Sequence, residues 1–280
     1  MPEITLPQGT IHYRDTGEGP PVVFLHGLLV DGEVWRKVPP LLEGGARCIV
    51  PDLPLGSHRL AMNADADLSP ATVAKLVADL LAALDLHDVT LVGNDTGGAI
   101  CQLVALDHGE RVGRLVLTNC DCFEVFPPKE FVPMVRAARA PGALFAAIQP
   151  MRAAAARRTP MAYGWLAHEI PDEVTAGWVR PFLDDAGIRR DAVAFMRAMD
   201  KATTLDAAAR LPSLAIPALV VWGQEDKFFA PELGERLATA LGARHVPVTG
   251  ARTFVSEDAP DALAGFIREF VREGAAQQAA

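Results

Sequence analysis

Residues 89–103 have the sequence Val-Thr-Leu-Val-Gly-Asn-Asp-Thr-Gly-Gly-Ala-Ile-Cys-Gln-Leu and form the most informative part of the chain. This stretch begins as an apolar strand, passes through a glycine-rich turn and continues as a helical pattern. The turn fits the spacing G-x-nucleophile-x-G, with Gly93 and Gly97 around Asp95. Glycine lets the backbone crowd a strained residue and present its side chain at the helix N-terminus. A dinucleotide-binding loop would require glycine at position 95.

Apolar runs of strand length alternate with helical patterns along most of the chain. The runs are 22–25, 48–50, 89–92, 115–117, 219–222 and 245–248. The N-terminal residues 4–15 add a predicted edge hairpin. A predicted helix begins after Ser69, a natural N-cap, with Pro70 at its first position. This alternation predicts an α/β fold, with a mostly parallel central sheet that carries helices on both faces.

The segment between the strands at 115–117 and 219–222 is too long for an ordinary crossover connection. It is rich in helix formers and prolines and shows no strand pattern. We therefore predict that residues 1–122 and 212–280 form one core domain. Residues 123–211 are predicted to be a helical lid over the carboxyl edge of the sheet, where α/β folds bind ligands.

Composition narrows the possible partners of the chain. Its 280 residues are 50% hydrophobic and 22% charged, with a formal net charge of −9, which argues against nucleic-acid binding. No apolar run reaches the ~18 residues of a membrane span, and the N-terminus does not resemble a signal peptide. The four cysteines lack metal-ligand spacing. We expect a cytoplasmic protein with a small-molecule substrate, no membrane partner, no metal and no cofactor, and leave a homodimer open.

Several motifs resemble the α/β-hydrolase superfamily, in particular the haloalkane dehalogenases and soluble epoxide hydrolases, whose nucleophile is aspartate. Residues 24–27, Phe-Leu-His-Gly, resemble the family's oxyanion loop, and residues 51–57 resemble its loop after the fourth strand. Residues 220–226, Val-Val-Trp-Gly-Gln-Glu-Asp, resemble the strand and turn that carry the family's acid. The resemblance covers nearly the whole chain and implies an α/β-hydrolase fold.

The resemblance also implies a two-step hydrolysis. Asp95 would attack an electrophilic carbon to give an alkyl ester, and a histidine oriented by Asp226 would activate water to hydrolyse that ester. The main-chain N–H groups of Leu28 and Thr96 would form the oxyanion hole.

The C-terminal motif departs from this pattern. The family carries its histidine in a pattern like G-H-F-x-x-x-E-x-P, whereas residues 250–260 are Gly-Ala-Arg-Thr-Phe-Val-Ser-Glu-Asp-Ala-Pro. Alignment on Phe254 and Pro260 places Thr253 at the histidine position. Neither Thr253 nor Arg252 can act as a base at neutral pH. A positioned general base increases the reaction rate by about 10²- to 10⁴-fold. Hydrolysis of the ester is therefore predicted to be slow unless another group acts as the base.

Other titratable residues are candidates for the missing base. We predict His58 as the first choice, because it lies in the loop leaving the carboxyl end of the fourth strand, although it also fits a solvated or substrate-contacting residue. His168 in the lid is the second choice. Asp121 follows the sixth strand, where some dehalogenases of the family carry their acid. Asp121 and Asp226 could both flank Asp95, and because close carboxylates raise one another's pKa values, one of them could be held protonated as an acid. The alternative is that Asp121 caps the first lid helix.

The lid fits neither specialised branch of the family fully. Dehalogenases generally carry halide-binding tryptophan or asparagine residues where this chain has Thr96 and Leu28, and Trp165 or Trp178 could supply an indole N–H instead. Epoxide hydrolases usually offer two lid tyrosines, and this lid has only Tyr163. We expect Asp121, Tyr163 and Trp165 to contact the substrate, which is predicted to be apolar or aromatic.

Three functions remain open from the sequence. The first is hydrolysis of a small to medium apolar electrophile through Asp95, with an epoxide ahead of a haloalkane or ester. The second is a cofactor-free isomerisation, cyclisation or elimination with Asp95 as base. The third is an inactive homologue that binds a ligand.

Overall fold

The computed structural model describes residues 1–278, with side chains to residue 274. Eight strands form one sheet: β1 (Glu3–Leu6), β2 (Gly9–Thr16), β3 (Pro21–Leu25), β4 (Arg47–Pro51), β5 (Val89–Asp95), β6 (Val112–Cys120), β7 (Ala218–Gly223) and β8 (Arg244–Val248). Their order is β1-β2-β4-β3-β5-β6-β7-β8. Strands β1 and β2 pair antiparallel, β2 also pairs antiparallel with β4, and the remaining pairs are parallel. The predicted α/β fold with a mostly parallel sheet is confirmed.

Helices connect and cover these strands. They are α1 (Pro39–Leu42), α2 (Pro70–Ala83), α3 (Thr96–Asp107), α4 (Val132–Ala137), α5 (Ala143–Ile148), α6 (Ala154–Arg157), α7 (Asp172–Asp184), α8 (Ala186–Ala198), α9 (Lys201–Arg210), α10 (Pro231–Leu241), α11 (Val255–Asp258) and α12 (Pro260–Gln278). Helix α2 begins as predicted, because the Ser69 side chain accepts a hydrogen bond from the Thr72 N–H and Pro70 occupies the first position. Within the described residues, no helix has the length and apolar character needed to span a membrane.

The parallel strands bring four segments to one edge of the sheet. In the register of the sheet, Leu25 at the end of β3 lies beside Gly93 of β5, and Asp95 lies beside Cys120 at the end of β6. Strand β7 follows beside β6, so its following turn reaches the same edge. The strand core is apolar and buried, since every residue of β7 and nearly every residue of β5 is buried. A rigid sheet therefore positions the residues that follow β3, β5, β6 and β7.

The long segment between β6 and β7 is helical. Helices α4 to α9 lie in it, and its residues form no strand of the sheet, although Cys122 and Val125 make an isolated bridge. Helices α7 and α8 pack against each other, whereas α9 packs against α3, next to the sheet. The division of the chain at residues 123 and 211 stays a prediction.

Candidate active site

The turn between β5 and α3 has the strained geometry that its glycines predict. Asp95 has φ 53° and ψ −132°, outside the regions that non-glycine residues usually adopt. A Cβ atom at Gly97 would lie 2.3 Å from the Leu25 carbonyl oxygen, and one at Gly98 would lie 2.3 Å from the Cys120 Cβ atom. The sequence therefore needs glycine at both positions, because α3 starts in direct backbone contact with the sheet.

The Asp95 side chain meets two main-chain donors. Its carboxylate accepts hydrogen bonds from the N–H groups of Leu28 and Thr96, the two groups expected to form the oxyanion hole. Burial raises the pKa of Asp95 to about 7, although the two N–H groups oppose this shift, and the negative charge of Asp226 raises it further. At Gly27, an added Cβ atom would lie 2.0 Å from the Asp95 Oδ2 atom, so the loop after β3 closes tightly over the carboxylate.

A mostly apolar cavity contains Asp95. It has a volume of about 620 Å³, including its open mouth, and its polar lining residues are Asp95, Thr96, Asp121 and Tyr163. The other lining side chains are apolar, and they include the four methionines Met134, Met151, Met161 and Met199. Methionine side chains are flexible and polarisable, so this wall can adapt to apolar substrates of different shapes. No local pattern in the sequence marks this methionine wall, because its members are spread along the segment between β6 and β7.

Asp121 shares the cavity with Asp95. Its Oδ2 atom accepts a hydrogen bond of 2.9 Å from the Thr96 hydroxyl, and its main-chain N–H donates to the Asp95 main-chain oxygen at 3.3 Å. Its Oδ1 atom has no hydrogen-bond partner within the described residues. Burial raises the pKa of Asp121 well above its usual value and the charge of Asp95 adds to this, whereas the Thr96 hydrogen bond lowers it. Asp121 follows β6 directly, and no helix begins at it.

Asp226 lies behind the cavity rather than in its lining. Its Oδ1 atom accepts hydrogen bonds from the N–H groups of Phe228 (2.7 Å) and Phe229 (3.1 Å), and its Oδ2 atom accepts one from the Asn119 amide (2.7 Å). The hydroxyl of Thr253 donates to Oδ1 at 3.0 Å. Burial raises the pKa of Asp226 to about 6, while these donors oppose the shift. Thr253 thus contacts the carboxylate that the family's acid position implies, as the alignment predicts.

Asn119 is a site residue to which no motif in the sequence points. Its amide donates to both the Gly223 carbonyl oxygen and Asp226, and its own side-chain oxygen accepts from the Gly223 N–H at 2.6 Å. Asn119, and not Asp121, is therefore the residue at the end of β6 that supports Asp226. The signal in the sequence was a polar residue at the end of a buried strand.

None of the chain's seven histidines, all within the described residues, lines the cavity. The structure thus argues against His58 as the base. Its Nδ1 atom accepts from the Gly56 N–H at 3.3 Å, and its Nε2 atom lies 3.1 Å from Asp191 Oδ2, so both ring nitrogens are already bonded. His168 lies 3.2 Å from Glu225 and is likewise outside the lining. His26 is buried and bonded to Gly27 and Leu53, which supports the oxyanion loop.

The two aromatic residues expected to bind substrate take different places. Tyr163 lines the cavity, but its hydroxyl donates to the Leu29 carbonyl oxygen at 2.8 Å. Trp165 does not line it and is 38% exposed, so the structure places its side chain outside the cavity. The indole N–H of Trp178 donates to Asp31 at 2.9 Å and is therefore not free for a halide.

A family model for the alpha/beta hydrolase fold matches residues 20–260. Because this match covers most of the chain, the protein belongs to the α/β-hydrolase fold family. The prediction of an enzyme of this superfamily, with the fold of its dehalogenase-like branch, is confirmed.

The relatives and the solved structure described next match between 82% and 99% of this chain. Haloalkane dehalogenase 2 from Mycobacterium tuberculosis is 27% identical over 271 residues, 94% of this chain and 91% of that protein. A 2-hydroxy-6-oxononadienedioate/2-hydroxy-6-oxononatrienedioate hydrolase from Paraburkholderia xenovorans is 29% identical over 243 residues, 82% of this chain and 79% of that protein. A loop variant of the haloalkane dehalogenase DbeA from Bradyrhizobium elkanii superposes with a TM-score of 0.82 at 21% identity, covering 99% of this chain and 98% of that chain.

Proposed function

We propose that the protein hydrolyses a small to medium apolar electrophile through Asp95, with an epoxide ahead of a haloalkane or ester. One observation carries this proposal: a carboxylate in an apolar cavity receives hydrogen bonds from two main-chain N–H groups, of Leu28 and Thr96. This arrangement suits attack by Asp95 on carbon. The same N–H groups can then stabilise the oxyanion that forms when water attacks the resulting ester. Haloalkane dehalogenases among the relatives support an electrophilic carbon as the target.

The lining favours an epoxide over a haloalkane. A leaving halide needs N–H donors, and within the described residues no indole N–H lines the cavity. An epoxide needs a proton on its opening oxygen, and Asp121 lines the cavity with an unpartnered carboxyl oxygen.

Product analysis with wild type and Asp95→Asn tests this function. Styrene oxide serves as the apolar epoxide, and diol formation is followed by chromatography. Wild type is expected to form the diol, and Asp95→Asn to lose at least about 10³-fold in rate, because the asparagine amide cannot replace the carboxylate that forms the ester. A variant that keeps its diol formation would contradict the proposal.

A second function is favoured by the raised pKa of Asp95. A carboxylate with a pKa of about 7 in an apolar cavity is well matched to proton abstraction at neutral pH. Asp95 would then act as the base of an isomerisation or elimination, for which no water needs to be activated. Oxygen from labelled water in the product would exclude this function.

A further inference from the structure

We propose that Asp121 is the acid–base residue of this site: it protonates the oxygen of an opening epoxide and then takes a proton from the water that hydrolyses the Asp95 ester. This inference rests on the proposed function and names the group that acts in both of its steps. It also explains how the site can work with Thr253 beside Asp226.

The position of Asp121 in the cavity is suited to this acid–base role. The residue is 1% exposed and lines the cavity together with Asp95 and Thr96. One carboxyl oxygen, Oδ2, is held by the Thr96 hydroxyl at 2.9 Å, whereas Oδ1 has no partner within the described residues. The side chain is therefore fixed by one oxygen and can exchange a proton through the other. Leaving a buried carboxyl oxygen unpaired is costly, which is understandable at a site where a substrate or water supplies the partner.

The other polar groups near Asp95 are already bonded. The Tyr163 hydroxyl donates to the Leu29 carbonyl oxygen. The Asp226 carboxylate receives four hydrogen bonds and does not line the cavity. None of the seven histidines lines it either. Among the described residues, Asp121 is thus the group in the lining that has both a titratable proton and a free oxygen atom.

Two close carboxyl groups share one proton more easily than they carry two charges. Burial and the negative charge of Asp95 raise the pKa of Asp121. Asp95 accepts hydrogen bonds from two main-chain N–H groups, which favour its charged form, whereas Asp121 accepts one from the Thr96 hydroxyl, so we place the shared proton on Asp121. With Oδ2 accepting from Thr96, this proton is placed on Oδ1, the carboxyl oxygen that has no hydrogen-bond partner within the described residues. The resting site then holds one carboxylate nucleophile and one carboxylic acid.

When the substrate is an epoxide, transfer of this proton from Asp121 and back to it accounts for the protons in both steps. In the first step an Asp95 oxygen bonds to an epoxide carbon, that carbon's bond to oxygen breaks, and the released oxygen takes the proton of Asp121. In the second step the Asp121 carboxylate takes a proton from water while the water oxygen bonds to the ester carbonyl carbon. The bond between that carbon and the alcohol oxygen then breaks, and the alcohol leaves with the second proton of the water. Asp95 is again a carboxylate and Asp121 again an acid.

With a haloalkane as substrate, the same cycle of proton transfers is not completed. Bromide leaves with the electron pair of the carbon–bromine bond and takes no proton, so Asp121 remains an acid and cannot accept one from water. The first step is then independent of Asp121, and the second step waits until the Asp121 proton is lost to solvent. A matched pair of probes, styrene oxide and (2-bromoethyl)benzene, therefore separates the two steps.

The experiment compares wild type with Asp121→Asn, which keeps an oxygen acceptor for Thr96 but cannot exchange a proton. With styrene oxide, we expect diol formation to fall at least about 10²-fold. With (2-bromoethyl)benzene, we expect intact-protein mass spectrometry to show the Asp95 ester forming within about threefold of the wild-type rate and then persisting. Asp184→Asn is the matched control, because it removes an aspartate carboxylate on α7 that pairs with Arg152 and does not line the cavity. Its ester is expected to clear as in wild type.

The outcomes are distinguishable. If Asp121→Asn forms diol and hydrolyses the ester at wild-type rates, the proposed acid–base role of Asp121 is overturned, while the proposed function stands. If wild type forms neither diol nor ester with either probe, the proposed function itself fails. Thermal unfolding verifies that the variant is folded at the assay temperature. If it is not, Asp121→Ser, which also keeps an acceptor for Thr96, replaces it in the same test.

Discussion

Two regions at the same edge of the sheet differ in how closely they follow the family pattern. The elbow, residues 93–98, has the strained Asp95, the close glycines and the two main-chain donors that an aspartate nucleophile needs. The acid corner, formed by Asp226, Asn119 and Thr253, has its carboxylate in place, and the Thr253 hydroxyl donates to it at the position where the sequence alignment leads us to expect an imidazole. The elbow thus has the groups needed for attack on carbon, whereas the hydrogen-bond partners of Asp226 include no imidazole, and in our proposal Asp121 activates the water instead.

The largest effect is expected at the elbow. Gly97→Ala would place a Cβ atom 2.3 Å from the Leu25 carbonyl oxygen, a main-chain atom that cannot move aside. We expect the free energy of unfolding to fall by about 3 kcal/mol or more, with loss of activity, measured by chemical denaturation. Gly109→Ala is the control, because an added Cβ atom there meets nothing within 4 Å. Equal stability of the two variants would mean that the elbow is not tightly packed.

The pH dependence of activity links the two regions. Asp95 attacks as a carboxylate, and its pKa is raised to about 7, so activity is gained as pH rises through 7. Between pH 8 and pH 6, kcat/KM for styrene oxide is expected to fall about tenfold. Because the charge of Asp226 contributes to the raised pKa of Asp95, Asp226→Asn should move the midpoint to lower pH. A midpoint that stays the same in Asp226→Asn would show that the acid corner does not influence the nucleophile.

The smallest effect is expected at Thr253. Thr253→Ala removes one of four hydrogen bonds to Asp226, at 3.0 Å, from a residue that does not line the cavity. We expect diol formation to stay within about threefold of wild type and the free energy of unfolding to fall by about 1 kcal/mol. A loss of activity as large as that of Asp121→Asn would instead place the acid corner in the chemistry.

Local patterns in the sequence predict the sheet, helix α2 and the elbow, because each depends on near neighbours in the chain. The alternation of apolar runs marks the strands, and Ser69 with Pro70 marks the start of α2. At the elbow the glycine spacing alone points to Asp95.

The remainder of the site depends on contacts between distant segments. Asn119 and Asp121 lie two residues apart at the end of β6, and only the packing shows that one bonds to Asp226 while the other faces Asp95. His58 lies in a loop at the expected edge, yet Asp191 on α8 holds it away from the cavity. The position of a residue at the carboxyl edge of the sheet therefore predicts that it lies near the site. The direction in which its side chain points is set by tertiary contacts.

A single turnover in oxygen-18 water tests most directly whether Asp95 is the nucleophile. With excess wild-type enzyme over styrene oxide, water attacks the carbonyl carbon of the Asp95 ester, so the heavy oxygen should enter the Asp95 carboxylate. Mass spectrometry of the tryptic peptide from Leu76 to Arg111, with fragmentation to locate the label, reads this out. The account predicts a labelled Asp95 and an unlabelled diol in the first turnover. A labelled diol with an unlabelled peptide would mean that water attacks the substrate directly, and would contradict the account.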